Sequence, residues 1–219
     1  MKKTILLLVS LVLITAILAG CSGGKKDEPN QEEREPITPV QGERLSESYV
    51  NVFDSGKYYM KYKLISGGSG EVSADEPDAI YKIYISGDKM SNITEIGEQK
   101  LQNIVTDDKM FIIMHEQKMI IATEVPENIR LNTGVVETKG MVYRDTGNTQ
   151  FVGKTCVYEE FLGADGYTGL RFIFDNNQLI GLQVRKTNDQ SGYELEILEI
   201  SGAVTVRDFD LPNDYAIVN

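Results

Sequence analysis

Hydrophobic and polar positions divide the chain into three stretches. Ile5 to Ala19 runs without a charge behind Lys2 and Lys3. Residues 22–42 are mostly Gly, Lys, Asp, Glu, Pro, Asn and Gln, and from Glu43 onward apolar residues recur with a period. Leu45, Tyr49, Val52 and Phe53 stand at helical spacing and predict one short amphipathic helix, which Asp54-Ser55-Gly56 ends. From Lys57 the period becomes two. Tyr58, Met60, Tyr62 and Leu64 fall on one face with Lys61 and Lys63 among the others, the mark of a half-buried strand.

Past the polar loop from Gly67 to Asp78, strand-like runs are punctuated by Gly87-Asp88, Gly97-Glu98, Asp107-Asp108 and Glu116-Gln117. Further strands are predicted at Thr149 to Phe161, Thr168 to Phe174, Leu179 to Lys186 and Tyr193 to Ile200. Asp175-Asn176-Asn177 is a hairpin turn between two of them, and residues 126–133 suit a second short helix. Regular short strands with Gly/Asp turns are the signature of an antiparallel meander. The expected fold is therefore mainly β (α+β): a curved antiparallel meander sheet, a half-barrel, with one or two short helices on one side.

One strand breaks the alternation. Met110-Phe111-Ile112-Ile113-Met114 is apolar on both faces, and Met119-Ile120-Ile121-Ala122 nearly so, which requires both sides of the sheet to be dry there. A covering helix meets that requirement, and so does a ligand-filled concavity. The second alternative nominates Tyr58, Met60, Tyr62, Met110, Ile112, Met114 and Met119 as lining residues. Methionine adapts to irregular partners and suits a plastic apolar site as well as a core, and Tyr58 and Tyr62 fit a cavity rim or ordinary cross-strand pairing.

The amino terminus carries its own message. A basic start followed by the uncharged Ile5–Ala19 run is the anatomy of an export signal, and it is too short for a spanning helix of about 20 apolar residues. The run ends in Leu18-Ala19-Gly20-Cys21, which resembles the lipobox of bacterial lipoproteins. That resemblance implies cleavage before Cys21, a diacylglyceryl group on its thiol, palmitate-type acylation, and a cell-membrane location on the extracytoplasmic face. The expected division is a signal peptide over 1–20, a lipidated start and flexible tether over 21–42, and a single domain over 43–219. Two acyl chains suffice for stable anchoring where one does not.

Charge and chemistry narrow the function. Acidic residues number 33 against 22 basic ones, a net charge of −11 that loss of Lys2 and Lys3 makes more negative. This argues against nucleic acid and against a domain lying flat on anionic lipid. With Cys21 acylated, Cys156 is the remaining cysteine, so no intrachain disulfide forms; in its strand-like run it reads as a small buried apolar group. The single histidine, His115, rules out a two-histidine metal site and reads as a turn residue bonded to a neighbour. Asp75, Glu76 and Asp78 lack the ordered pattern of a calcium loop and read as solvated charges. No catalytic constellation, metal site or cofactor is expected.

The order of elements, with "FDSGKYYMKYKL" near the start and "FDLPNDYAIV" at the close, resembles the lipoprotein-carrier superfamily, LolA/LolB-like and including LppX-type lipoproteins. The segments "GKYYMKY" and "PNDY" also resemble uncharacterised lipoproteins of Gram-positive bacteria. The carrier resemblance implies a curved half-barrel whose concave apolar side holds acyl chains or another hydrophobic molecule. The first expectation is thus a non-catalytic, membrane-anchored binding module with an apolar cavity for a lipid-like ligand. The second is an envelope protein-interaction or regulatory lipoprotein with a solid core, its protein partner undefined.

Overall fold

A computed structural model of the chain describes residues 44–67, 70–71, 79–106, 108–125, 136, 138–186 and 192–218. They belong to the compact unit Arg34–Asn219. The signal segment, Cys21 with its lipobox, the tether, the Asp75–Asp78 loop and the expected helix over 126–133 lie outside the described residues.

The first element is helix α1 (Glu47–Asp54). Its apolar spacing turns Tyr49 and Phe53 inward, where both are buried. A carboxylate far away in sequence caps it: Glu159 accepts the N–H groups of Leu45 (3.2 Å) and Ser46 (3.0 Å) and the Ser46 hydroxyl. The N-cap residue and the one before it are thereby fixed from a distant strand, which pins the start of the helix. Gly56, at φ +64°, closes the helix by donating its N–H to the Phe53 carbonyl, 3.1 Å away.

Strands β1 (Lys57–Gly67), β2 (Gly70–Glu71), β3 (Ala79–Ser86), β4 (Lys89–Ile96), β5 (Gln99–Val105), β6 (Lys109–Met114) and β7 (Met119–Glu124) follow. After them come β8 (Val142–Phe151), β9 (Lys154–Leu162), β10 (Thr168–Asp175), β11 (Gln178–Lys186), β12 (Tyr193–Ser201) and β13 (Ala216–Val218). Their order across the sheet is β13-β7-β6-β5-β4-β3-β1-β12-β11-β10-β9-β8, with β2 paired to β1 off this path. The sheet is curled and open rather than closed into a barrel. It is two meanders joined at the centre: the chain starts at β1, walks out to β7, resumes at the opposite edge in β8, and walks back to β12 beside β1. Register breaks at Lys61/Tyr62, Leu64/Ser66, Tyr143/Asp145 and Ile173/Phe174 increase local twist and help the sheet curl.

Two details differ from the sequence-based expectation. The run from Thr149 to Phe161 is not one strand but the end of β8 and most of β9, turned at Val152-Gly153, both at positive φ. Alternation continues across such a tight turn, so periodicity alone does not register the reversal. The closing segment also forms a strand: β13 runs parallel to β7, Ile217 opposite Ile120.

The main core lies between α1 and the inner face of the sheet's centre. Tyr49 and Phe53 pack with Tyr58, Met60, Phe172, Phe174, Leu182 and Leu195, all within one cluster. Phe53 meets Tyr58 edge-on at 5.0 Å between ring centroids, an arrangement favoured by the ring quadrupoles. Two smaller clusters sit on the opposite face. One gathers Phe151, Cys156 and Ile173; the other gathers Ile104, Ile113 and Ile120 beneath Phe209, Leu211 and Tyr215 of the C-terminal segment.

Candidate functional site

Directly opposed residues of antiparallel strands share a face, so the register decides which side chains meet. One inner-face row runs Tyr58, Ile85, Met90, Val105, Met110, Thr123. The next runs Met60, Ile83, Asn92, Asn103, Ile112, Ile121, and the third Tyr62, Tyr81, Thr94, Leu101, Met114, Met119. All seven nominated residues, contributed by β1, β6 and β7, therefore face the same side.

They do not share one environment. Tyr58, Met60 and Tyr62 are core residues: Met60 is fully buried, and Tyr62 stacks on Tyr81 at 5.3 Å with ring planes 17° apart. Tyr58 and Tyr62 thus show the cross-strand and core packing that the sequence held open beside a cavity rim, with Phe53 of α1 against Tyr58. Burial, with Tyr81 and Tyr193 adding to it, pushes the Tyr62 phenol up to about 12, and burial alone does the same for Tyr193. Both stay neutral throughout the physiological range.

Met110, Ile112, Met114 and Met119 are only half-buried, as are Leu101 and Ile121 beside them. None of the six belongs to a core cluster formed by the described residues. With Asn92 and Asn103 they form a half-buried, mainly apolar strip, the trough, along the inner face of the β4–β7 wing. The reverse face of the same strands is closed, with Ile113, Ile104 and Ile120 each at 0% exposure.

The remaining candidates find ordinary roles. His115 is locked in a chain in which its Nδ1 accepts from the Tyr215 hydroxyl (3.0 Å), its Nε2–H donates to Gln102 Oε1 (3.2 Å), and Gln102 Nε2 donates to Ser91 Oγ (3.0 Å). Burial first, then Lys100, holds its imidazole below the usual value. Cys156 is buried at 2% exposure with its thiol pushed up by burial, away from the reactive thiolate state. Among the described residues no group of three or more His, Cys, Asp or Glu side chains is placed to hold a metal ion.

Sequence reasoning passed over two features. The Asn92–Asn103 pair in the trough carries no motif and shows only once the register is known. A cleft of about 320 Å³ on the outer face is lined by Arg144, Glu160, Leu162, Tyr167, Arg171 and Arg185. Its charges are partly met internally: Glu160 takes Arg144 at 3.0 Å and Arg171 as well, and Arg171 also lies over the Tyr158 ring at 4.3 Å.

No family model and no curated protein matches the sequence. Solved structures with a similar course include an uncharacterized conserved protein from Thermus thermophilus, at 8% identity and TM-score 0.41, covering 78% of this chain and 99% of that one. The Pseudomonas aeruginosa MucA/MucB complex aligns at 8% identity and TM-score 0.37 over 77% of this chain, which spans 62% of the matched chain. A LolA superfamily protein from Nitrosomonas europaea aligns at 10% identity and TM-score 0.34, covering 76% of this chain and 96% of that one.

Proposed function

We propose that the chain is a membrane-anchored extracytoplasmic lipoprotein, held by a diacylglyceryl group on Cys21, and that its domain is a non-catalytic module binding a lipid-like ligand in the β4–β7 trough. The observation that carries the binding reading is the asymmetry of β6. Ile113 is sealed on one face, while Met110, Ile112 and Met114 on the other are half-buried and join no core cluster of the described residues. A strand apolar on both faces with one face unclaimed by that core is what an apolar site requires. The Leu18-Ala19-Gly20-Cys21 sequence behind an uncharged run supports the anchor.

Saturable uptake of an environment-sensitive naphthylamine dye tests the trough: wild type is expected to bind it and Ile112→Asp to lose it while remaining folded. Dye binding unaffected by Ile112→Asp rejects the site. Cys21→Ser is expected to abolish palmitate labelling and leave an uncleaved precursor, and a labelled, mature-size band in that variant rejects the anchor. The second reading, a protein-interaction module, draws on β8, a ten-residue strand that among the described residues has a single neighbour, at the sheet's edge. Such an edge presents unpaired backbone groups to another chain. It gains if the dye finds no site.

A further inference from the structure

The trough has a polar rung across its floor. Asn92 on β4 and Asn103 on β5 are direct cross-strand partners, with Ile83 and Ile112 continuing their row. Met90 and Val105 lie in the row to one side, Thr94 and Leu101 in the row to the other. The Asn92 carboxamide oxygen is buried and has no hydrogen-bond partner among the described residues. Buried acceptors are nearly always paired, and an orphan on a mainly apolar strip points to a partner that arrives from outside.

The contrast with the other face of the same strands sharpens this. There every member of the Ser91, Gln102, His115 and Tyr215 chain is hydrogen-bonded. Polar satisfaction fails on the inner face, not along the strands in general. A leucine in place of Asn92 would remove the unpaired oxygen, so that oxygen destabilises an empty trough.

We infer that Asn92 and Asn103 are specificity-determining residues that select chain ligands bearing a neutral hydroxyl or secondary amide part-way along their length. The inference rests on the trough being the binding site proposed above. A carboxamide offers one acceptor and two donors, which a hydroxyl or an amide N–H with its carbonyl can answer and a methylene cannot. The three inner-face rows contain no charged residue from Tyr58 to Thr123, so the group they recognise is uncharged and any ionised head lies beyond them. The methionines of these rows re-pack readily, which lets a chain reach an oxygen that is shielded when the trough is empty.

Native mass spectrometry of the full chain, offered an equimolar mixture of a saturated fatty acid and its mid-chain hydroxy derivative of the same length, tests the inference. Wild type is expected to retain the hydroxylated acid by roughly tenfold, the worth of one net hydrogen bond. Asn92→Leu and, independently, Asn103→Leu are expected to bring the ratio to unity or below through loss of the hydroxylated acid, with the thermal midpoint no lower than that of wild type. A ratio near unity in wild type overturns the inference while leaving the trough as the site, and so does preference for the hydroxy acid that survives in both variants. If neither acid is retained and the dye also fails to bind, the trough reading falls and the inference with it. Should one variant fail to fold, the wild-type ratio and the other variant decide.

Discussion

Single residues carry the fold's local conflicts. Val152 opens the two-residue turn between β8 and β9 at φ +46° with its side chain 53% exposed, a conformation that β-branched residues resist and Asn tolerates. Val152→Asn is expected to stabilise the domain by about 0.5–1 kcal/mol, read as a higher denaturant midpoint at unchanged m-value. Nearby, Gly181 is needed for space: a Cβ there would press into the ring of the buried Phe151. His115 sets a pH dependence. Its folded-state imidazole is held below the ordinary value of 6.5, so in that window the unfolded chain binds more protons. The His115 contribution is complete above the unfolded value and is lost as pH falls below it toward the folded one. The thermal midpoint should therefore drop between about pH 7 and pH 5, and His115→Gln, less stable at neutral pH, should flatten that drop. Parallel slopes in the two proteins would remove His115 from the account.

At the scale of elements, β6 shows how one strand serves two environments. Its alternation puts Ile113 against Ile104 and Ile120 and turns Ile112 into the trough. Ile113→Asp buries a carboxylate against Ile104 and Ile120, a cost of several kcal/mol that consumes most of a domain's stability. Ile112→Asp meets a half-buried surface and is expected to fold. Circular dichroism and dye binding on the pair should show one unfolded protein and one folded non-binder. Unfolding of both would make the trough part of the core. Helix α1 is likewise an element held from elsewhere, because Glu159 on β9 caps it and Leu179 on β11 donates its N–H to the Tyr49 hydroxyl at 3.3 Å. Its amphipathic spacing is visible in eight residues of sequence, whereas its cap, more than a hundred residues away, has no local signature.

At the scale of the whole molecule, the C-terminal segment closes what the meanders leave open. After β12 the chain returns from the sheet's centre across the outer face, where Phe209, Leu211 and Tyr215 cover Ile104, Ile113 and Ile120, and ends in β13 against β7. Lys118 and Asp214 pair at 2.5 Å along the way. Ending the chain before Val206 should speed amide hydrogen exchange in β5, β6 and β7 while β9, β10 and β11 keep their protection. Equal protection in both wings would show that the strap contributes nothing to the first. By itself the sequence determined most strand positions and their turns, the first helix, a mainly β fold and the plain roles of Cys156 and His115. Period-two alternation, Gly/Asp turns and burial preference are local properties written within a few residues. It also exposed the anomaly of Met110 to Met114. The tertiary structure decided which face of that strand is sealed, that Tyr58, Met60 and Tyr62 belong to the core, and that Asn92 meets Asn103. The first two outcomes depend on long-range pairing of β1 with β12 and on a strap from the far end of the chain, because both faces of one curled sheet are buried at once; the third is set by the β4–β5 hairpin, whose register becomes definite only when the turn is placed at Gly97-Glu98.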